Sequence, residues 1–182
     1  AAIGHNYSDN EERGVFKTTD GGKTWEKILY ISEKTGIIEL RMDPSDSMTL
    51  YATAWERGRK AWDNVTFGEG SGLYKTTDGG KNWKPVNGGL PTGKHIGRMA
   101  LAIAPSNPNV LYTLVDNSTP DSSKRKGVKG GELYRSDDKG LNWTKTHDTP
   151  INTLVGYDFC LVTVAPDNEN EVFLPGFQLL HS

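Results

Sequence analysis

The residues best suited to binding chemistry lie in one long polar segment, residues 55–70, and in a short second segment, residues 94–98. The first holds two tryptophans, two arginines and a phenylalanine, and the second holds a lysine, a histidine and an arginine. Aromatic rings can stack on sugar rings or peptide side chains, and guanidinium groups can hold carboxylates through two parallel hydrogen bonds. The sequence therefore predicts a surface that binds a glycan or a peptide. Its predicted residues are Trp55, Arg57, Arg59, Trp62, His95 and Arg98.

Simpler structural roles compete with this hypothesis. Trp55 and Trp62 could instead anchor the long segment on a neighbouring part of the fold, because a long loop needs apolar contacts of its own. His95 could be a solvated loop histidine with no chemical role. The sequence leaves these alternatives open.

The composition argues against several other functions. The 182 residues carry a net charge of −2, which gives no electrostatic reason to expect binding to nucleic acid or to an anionic membrane. No apolar run is long enough to predict a membrane-spanning helix. The single cysteine, Cys160, excludes an internal disulfide framework, and zinc-type ligand spacings and phosphate-binding loops are absent from the sequence. We predict no metal and no cofactor, and we interpret Cys160 as a small buried apolar residue.

A short motif that occurs three times sets the architecture. Its pattern is Ser/Thr-x-Asp-x-Gly-x-Thr/Asn-Trp, and its aspartates, Asp20, Asp78 and Asp138, lie 58 and then 60 residues apart. Repetition at a long period indicates a repeat architecture. The three copies occupy residues 18–25, 76–83 and 136–143.

Each position of the motif suits a tight hairpin turn. The aspartate can accept hydrogen bonds from backbone N–H groups, the glycine can adopt a positive φ, and the tryptophan can anchor the next strand. We predict that the three tryptophans are equivalent and largely buried. A calcium loop is the alternative, but each copy has too few carboxylates for a cage of six to eight oxygens. The residues given this structural role are Asp20, Gly22, Trp25, Asp78, Gly80, Trp83, Asp138, Gly140 and Trp143.

A second repeated signature completes the repeat unit. An apolar stretch ends at each of Pro44, Pro105 and Pro166, which are 61 residues apart, and a polar turn and another apolar stretch follow each proline. One unit therefore contains four strands, named a to d, with the motif as the turn between c and d. Four antiparallel strands per unit of about sixty residues are typical of a β-propeller blade.

The predicted fold class is all-β, an incomplete β-propeller of four-stranded antiparallel blades. Propellers usually close with four to eight blades, whereas about three blade-equivalents are predicted here. We therefore expect the remaining blades of a longer parent protein to be partners of this segment. The predicted units are the end of one blade at 1–36, whole blades at 37–95 and 96–156, and the first half of another blade at 157–182.

Strand alternation also predicts which loops lie together. In an up-and-down blade the a–b and c–d turns share one end of the sheet, and the b–c and d–a loops share the other. The candidate binding residues belong to b–c and d–a loops, so they should lie opposite the repeated motifs. Long loops on a rigid scaffold are the usual place for function.

The three motifs resemble the Asp-box (BNR) repeats of sialidases, xyloglucan-active glycosidases, photosystem assembly factors and sortilin-type receptors. The resemblance covers nearly the whole chain and is closest to bacterial secreted proteins of the sortilin-like or glycosyl-hydrolase-like kind, through residues 13–71 and especially 51–57. It implies a propeller fold, a structural role for the boxes and a secreted or periplasmic location. The three arginines and the Tyr–Glu pair of sialidases have no assignable counterparts here, and neither do the two catalytic aspartates of the xyloglucan enzymes. One cysteine also cannot supply the cysteine-rich module that follows the propeller in sortilin-type receptors.

Two functions remain open from the sequence. The first is a non-catalytic binding or assembly scaffold for glycans or peptides. The second is part of a glycoside hydrolase, sialidase-like or xyloglucanase-like, with its catalytic carboxylates partly outside this segment. Two carboxylates that face each other across a cleft would favour the enzyme, at about 5 Å or about 6.5–9.5 Å.

Overall fold

The computed structural model describes residues 1–122, 127–149, 151, 156, 158–176 and 178–182. Over these residues the regular secondary structure consists of short antiparallel β-strands, and none of them lies in a helix that could cross a membrane. The strands are β1 (Val15–Lys17), β2 (Glu26–Leu29), β3 (Thr35–Asp43), β4 (Asp46–Glu56), β5 (Gly58–Lys60), β6 (Asp63–Val65), β7 (Gly72–Thr76), β8 (Lys84–Pro85), β9 (Ile96–Ile103), β10 (Leu111–Asp121), β11 (Gly127–Ser136), β12 (Thr144–Lys145), β13 (Thr163–Val164), β14 (Val172–Leu174) and β15 (Leu180–His181).

Two complete four-stranded sheets form the centre of the segment. One has the strand order β3-β4-β7-β8 and the other the order β9-β10-β11-β12, so each follows the predicted order a to d. Their registers are equivalent, because Leu50 pairs with Thr76 in the first sheet and Leu111 pairs with Ser136 in the second. A consecutive up-and-down sheet of four strands is a propeller blade. We call these sheets blade two and blade three.

Partial blades flank the two complete ones. Strands β1 and β2 are strands c and d of blade one, and Ala2 forms a bridge to Gly14 in the place where strand b ends. Blade four contains β13, β14 and β15. The sequence predicted only strands a and b for this last unit. The third strand, Leu180–His181, pairs with β14 in the position that strand c takes in the complete blades.

The core lies between the blades. One apolar cluster joins blade two to blade three through Tyr51, Leu101 and Trp143, and a second joins blade three to blade four through Leu114 and Cys160. The Cys160 side chain is fully buried, and burial raises the pKa of its thiol to about 12. Cys160 is therefore a packing residue, as the sequence indicated.

The innermost strands of blades two and three are also joined by charged side chains. The backbone N–H of Leu101 donates to Glu39 Oε2 at 3.0 Å, and Arg41 Nε donates to the Leu101 carbonyl oxygen at 3.2 Å. Glu39 and Arg41 thus form hydrogen bonds with backbone groups on the edge of β9 that does not pair with β10. The antiparallel sheets, packed face to face, form an incomplete β-propeller.

Candidate functional site

The repeated motifs form hairpin turns held by their aspartates. Asp20 accepts hydrogen bonds from the backbone N–H of Thr24 at 2.9 Å and from its hydroxyl at 2.6 Å. Asp78 makes the same pair of contacts with Asn82, at 2.9 and 2.7 Å. Asp138 repeats them with Asn142, at 2.8 and 2.7 Å. Both carboxylate oxygens of each of these three aspartates therefore accept hydrogen bonds within their own turn.

These contacts favour the ionised carboxylates. The Thr24 hydroxyl and backbone lower the pKa of Asp20 to about 2, and the Asn142 backbone N–H lowers that of Asp138 to about 2. The pKa of Asp78 is also lowered, chiefly by the backbone N–H of Asn82. No group of three or more His, Cys, Asp or Glu side chains is arranged to hold a metal ion among the residues that the structure describes. The boxes thus have the geometry of structural turns.

The predicted equivalence of the three box tryptophans is wrong for Trp25. Trp143 is only 5% exposed, whereas Trp25 is 60% exposed, and Trp83 has intermediate burial. The Trp143 indole contacts its own turn, where Nε1 donates to the Gly140 carbonyl oxygen at 3.1 Å, but its apolar cover includes residues of the preceding blade. Trp143 packs with Leu90 and Val86 of blade two, and Trp83 packs against apolar residues of blade one.

The box turns and the long loops occupy opposite ends of the sheets. The N–H of Gly79 in the second box donates to the carbonyl oxygen of Met48, beside the a–b turn, at 2.9 Å. At the other end, the N–H of Gly68 donates to the Ile96 carbonyl oxygen at 3.0 Å, which joins a b–c loop to the start of strand a. We call these two ends the box face and the loop face. The candidate binding residues belong to the loop face.

Trp55 is a buried side chain that anchors the b–c loop at the loop face. It is 1% exposed, and its Nε1 donates to the carbonyl oxygen of Thr66 at 2.8 Å, which ties the b–c loop to strand b. Two of the predicted arginines lie over its ring, with Arg57 at 4.6 Å and Arg98 at 5.9 Å from the ring centre. The anchoring role that the sequence left open thus describes Trp55, which brings Arg57 and Arg98 to one place.

Trp62 has the opposite environment. Strands β5 and β6 form a small hairpin within the b–c loop, with Arg59 opposite Asn64, and Trp62 lies at its tip with 83% of its surface exposed. The N–H of Arg59 donates to the carbonyl oxygen of Asn6 at 2.9 Å, so the segment at residues 5–8 lies against the hairpin. Tyr7 in that segment is 74% exposed. Two large aromatic side chains are therefore presented to solvent on neighbouring loops.

His95 occupies the next loop along the same face. It is partly buried, and its carbonyl oxygen accepts both the N–H and the hydroxyl of Ser118, each at 2.9 Å. The contacts of its backbone place it at the junction of strands a and b in blade three. Arg59 in the hairpin contacts Asn6 instead. The six predicted residues thus form one buried centre at Trp55, an exposed hairpin and a separate loop position at His95.

A buried arginine that the sequence analysis did not identify holds this face together. Arg13 is fully buried, and it donates to three carbonyl oxygens from three different loops: Lys34 at 2.7 Å, Arg57 at 3.0 Å and His5 at 3.0 Å. Burial lowers the pKa of its guanidinium. No sequence signal marked Arg13, because the equivalent position of the next repeat is Ser71, in an unrelated local context.

A cavity of about 200 Å³ opens beside the hairpin. Its charged lining is balanced, with three carboxylates and three cationic groups. This charge balance favours a polar, uncharged ligand over a strongly acidic one. The cavity is lined by Asp9, Lys34, Glu56, Arg57, Gly58, Lys60, Asp63 and Val65.

One further carboxyl group has an unusual environment. Asp116 takes the position in strand b of blade three that Trp55 takes in blade two, and burial raises its pKa to about 6. The backbone of Gly156 lies so close to it that a Cβ on that glycine would be 1.8 Å from Asp116 Oδ2. A carboxyl group with a pKa near neutrality can hold a proton for transfer.

The fold and its repeated turns define the class of this protein as an Asp-box β-propeller. Comparison with known proteins gives the family. The sequence matches the model of the sortilin and Vps10 family, described as sortilin, neurotensin receptor 3, over residues 13–174, and the chain belongs to this family.

Individual relatives include proteins of two kinds. The chain is 24% identical over 153 residues to vacuolar protein sorting/targeting protein 10 of Colletotrichum graminicola, an alignment that covers 78% of the chain and 9% of that protein. It is 27% identical over 154 residues to a xyloglucanase of Acetivibrio thermocellus, with coverages of 77% and 17%.

Solved structures show the same architecture. The GH74 xyloglucanase from Xanthomonas campestris has a TM-score of 0.64 and 17% identity, and the match covers 96% of this chain and 24% of that chain. A GH74 enzyme from Niastella koreensis has a TM-score of 0.62 and 20% identity, with coverages of 91% and 24%. At these identities the likeness shows the fold alone. The chain spans about a tenth to a quarter of the length of these relatives.

Proposed function

We propose that this segment supplies part of the ligand-binding surface of a larger secreted Asp-box propeller, and that the surface holds a glycan on the loop face. The observation that carries the proposal is the hairpin of β5 and β6, which exposes 83% of Trp62 beside a cavity lined by charged groups. A large aromatic ring that is exposed to solvent on a rigid scaffold can stack on a sugar ring.

The electrostatic balance of the cavity favours a glycan over an acidic peptide. Arg57, Lys34 and Lys60 provide three positive charges, but three carboxylates surround the same space. These groups can exchange hydrogen bonds with the hydroxyl groups of a neutral sugar, as donors and as acceptors. A peptide ligand remains an outcome of the experiment below.

The support beneath the hairpin fits a preorganised site. Trp55 fixes the loop through Thr66, and Arg13 fixes the carbonyl oxygens of three loops around the cavity. A ligand that meets loops already held in place loses less affinity to the ordering of those loops. The xyloglucanase relatives are consistent with a glycan ligand, and a secreted location would suit it.

Ligand binding can be tested with two tryptophan variants, one on the loop face and one on the box face. Trp62→Ala should weaken binding of xyloglucan oligosaccharides, or of a glycan found on an array, by about two- to tenfold, since a stacked ring contributes about 0.5–1.5 kcal/mol. Trp25→Ala removes an exposed indole from the box face, 60% exposed against 83% for Trp62, and should leave binding unchanged. Calorimetric titration of both variants, with melting temperatures measured in parallel, gives the comparison.

The results separate the alternatives. Equal effects of the two variants, or no glycan bound at millimolar concentration, would contradict a glycan site at the hairpin. Binding of a peptide library that depends on Arg59 and not on Trp62 would assign the surface to peptides.

A second candidate function is a glycoside hydrolase, and the environment of Asp116 favours it. The raised pKa of this carboxyl group suits the proton donor that such enzymes need. The parent protein should then lose hydrolysis of xyloglucan in Asp116→Asn, with its glycan affinity retained. Full activity of Asp116→Asn would show that this residue takes no part in the reaction.

A further inference from the structure

We propose that the chain modifies itself at the bond between Asn87 and Gly88, where the asparagine side chain cyclises onto the glycine nitrogen and is converted to aspartate and isoaspartate. The reaction needs water as its one co-reactant. Its isoaspartate product loosens the contact between blade two and the third box. This inference concerns the joint between two complete blades and is independent of ligand binding on the loop face.

The covalent change is a ring closure followed by hydrolysis. The backbone nitrogen of Gly88 bonds to Cγ of Asn87, and the bond from Cγ to the side-chain nitrogen breaks. That nitrogen leaves as ammonia with the proton that Gly88 gives up. Water then opens the succinimide ring at either carbonyl carbon, which leaves aspartate or isoaspartate. In isoaspartate the main chain passes through the former side chain and is one carbon atom longer.

Asn87 is the one asparagine that precedes a glycine in this sequence. A glycine in that position favours the reaction, because the absence of a Cβ leaves its nitrogen open to attack. Asn87 follows β8, lies outside the strands and is exposed. Water and hydroxide can therefore reach the bond in the folded protein.

The two reacting groups are also free of hydrogen bonds. Within the described part of the chain, no group bonds to the Asn87 side-chain amide or to the Gly88 N–H. The pair Asn117 and Ser118 is the opposite case, although serine is also small. Asn117 Nδ2 donates to Glu132 Oε2 at 2.7 Å, and the N–H of Ser118 donates to a carbonyl oxygen at 2.9 Å. The fold therefore holds the second pair apart and leaves the first pair able to react.

Packing between blades requires the glycine that makes Asn87 reactive. A Cβ on Gly88 would overlap the carbonyl oxygen of Leu141 in the third box, and a Cβ on Gly89 would overlap that of Trp143. The carbonyl oxygen of Gly88 accepts the N–H of Trp143 at 2.6 Å. A side chain at position 88 would separate these two backbones. The reactive sequence is thus a consequence of the close approach of blade two to the third box.

The same close approach decides what each product does. An additional main-chain carbon at residue 87 moves Gly88 relative to the third box, which has no space for the shift. The hydrogen bond from the N–H of Trp143 to Gly88 is the contact that is lost. Aspartate adds only a charge to an exposed side chain and should leave this contact intact. Isoaspartate is therefore the product that loosens the joint.

Storage of the purified chain in mildly alkaline buffer tests the modification. Peptide mapping by mass spectrometry measures the conversion of each asparagine, and enzymatic methylation identifies isoaspartate. We expect Asn87 to convert at least about tenfold faster than Asn117 in the folded chain, and the difference to shrink in urea. Asn87→Gln should abolish the conversion at this position. No conversion of Asn87, or equal rates at the two asparagines in the folded chain, would overturn the proposal.

Amide exchange tests the effect on the joint. Ion exchange separates the converted chain, and its isoaspartate form should exchange the N–H of Trp143 about tenfold faster than the unconverted chain. The variant Asn87→Asp carries the same charge without the additional carbon and should keep the original rate. The N–H of Leu141 is the control amide, because it donates to Asp138 within its own turn at 2.9 Å. Unchanged exchange at Trp143 in the isoaspartate form would refute a role of this modification in the joint.

Discussion

The ion pair between Asp43 and Lys139 offers the sharpest test of how the blades are held together. Lys139 Nζ lies 2.9 Å from Asp43 Oδ2 and 3.3 Å from Ser45 Oγ, and it joins the third box to the a–b turn of blade two. The Asp43 side chain is 1% exposed and the lysine is 36% exposed. Removal of the lysine charge would leave a buried carboxylate with only its hydrogen bonds from Ser45.

The expected cost of Lys139→Met is about 1–3 kcal/mol in the free energy of unfolding. Breaking a fully buried pair costs about 3–5 kcal/mol, but this lysine is partly solvated and Ser45 still satisfies the carboxylate. Lys139 also has a φ of 57°, where the other two boxes have glycine. Lys139→Gly should therefore cost about 1 kcal/mol less than Lys139→Met, because it relieves the left-handed backbone of a residue with a Cβ.

A double-mutant cycle isolates the pair. Asp43→Ala introduces the residue type found at the equivalent positions of the later repeats, Ala104 and Ala165. The unfolding free energies of the two single variants and the double variant, measured in urea, should show a coupling of about 1–3 kcal/mol. The control Lys81→Met changes an exposed lysine of the second box and should have almost no effect. Additive single effects would refute the reasoning.

The same pair predicts a dependence on pH. Burial by itself raises the pKa of Asp43, but the hydrogen bonds from Ser45 and Lys139 outweigh it, and the pKa in the folded state is below its ordinary value. The resulting stability is present above the unfolded pKa of about 3.9 and is lost as the pH falls through the folded value. In Lys139→Met the folded pKa should rise, so acid unfolding should begin at a higher pH than in the wild type. A melting series from pH 7 to pH 3 measures this shift.

Three other predictions follow from the fold. Asp138→Ala should lower the melting temperature more than Asp167→Ala, and the difference should shrink as the pH falls from about 4 towards 2, because the pKa of Asp138 is about 2. Glu39→Ala should speed amide exchange at Leu101 about tenfold or more, measured by NMR, since that N–H loses its acceptor. Cys160 should react with a thiol reagent only at the rate of unfolding, because its side chain is fully buried and its pKa is about 12; rapid labelling of the native protein would contradict this.

The four-stranded repeat and its turns could be predicted from the sequence because they depend on neighbours along the chain. The aspartates at 20, 78 and 138 bind groups within four residues, so the motif already contains both partners of each hydrogen bond. The alternation of apolar residues before Pro44 and Pro105 likewise reports local strand geometry. The location of the box turns and the long loops at opposite ends of the sheets follows from strand alternation alone.

The environment of individual side chains was decided by the tertiary structure. Trp25 and Trp143 have the same motif around them, yet one is exposed and the other buried, because the cover comes from a different blade. Trp55 and Trp62 lie in one segment, yet one supports the loop and the other is presented to solvent. Arg13 joins three loops whose sequence positions have no shared signal. Contacts within one turn are encoded by residue spacing, whereas burial and contacts between blades depend on which distant segments pack together, and that requires the assembled fold.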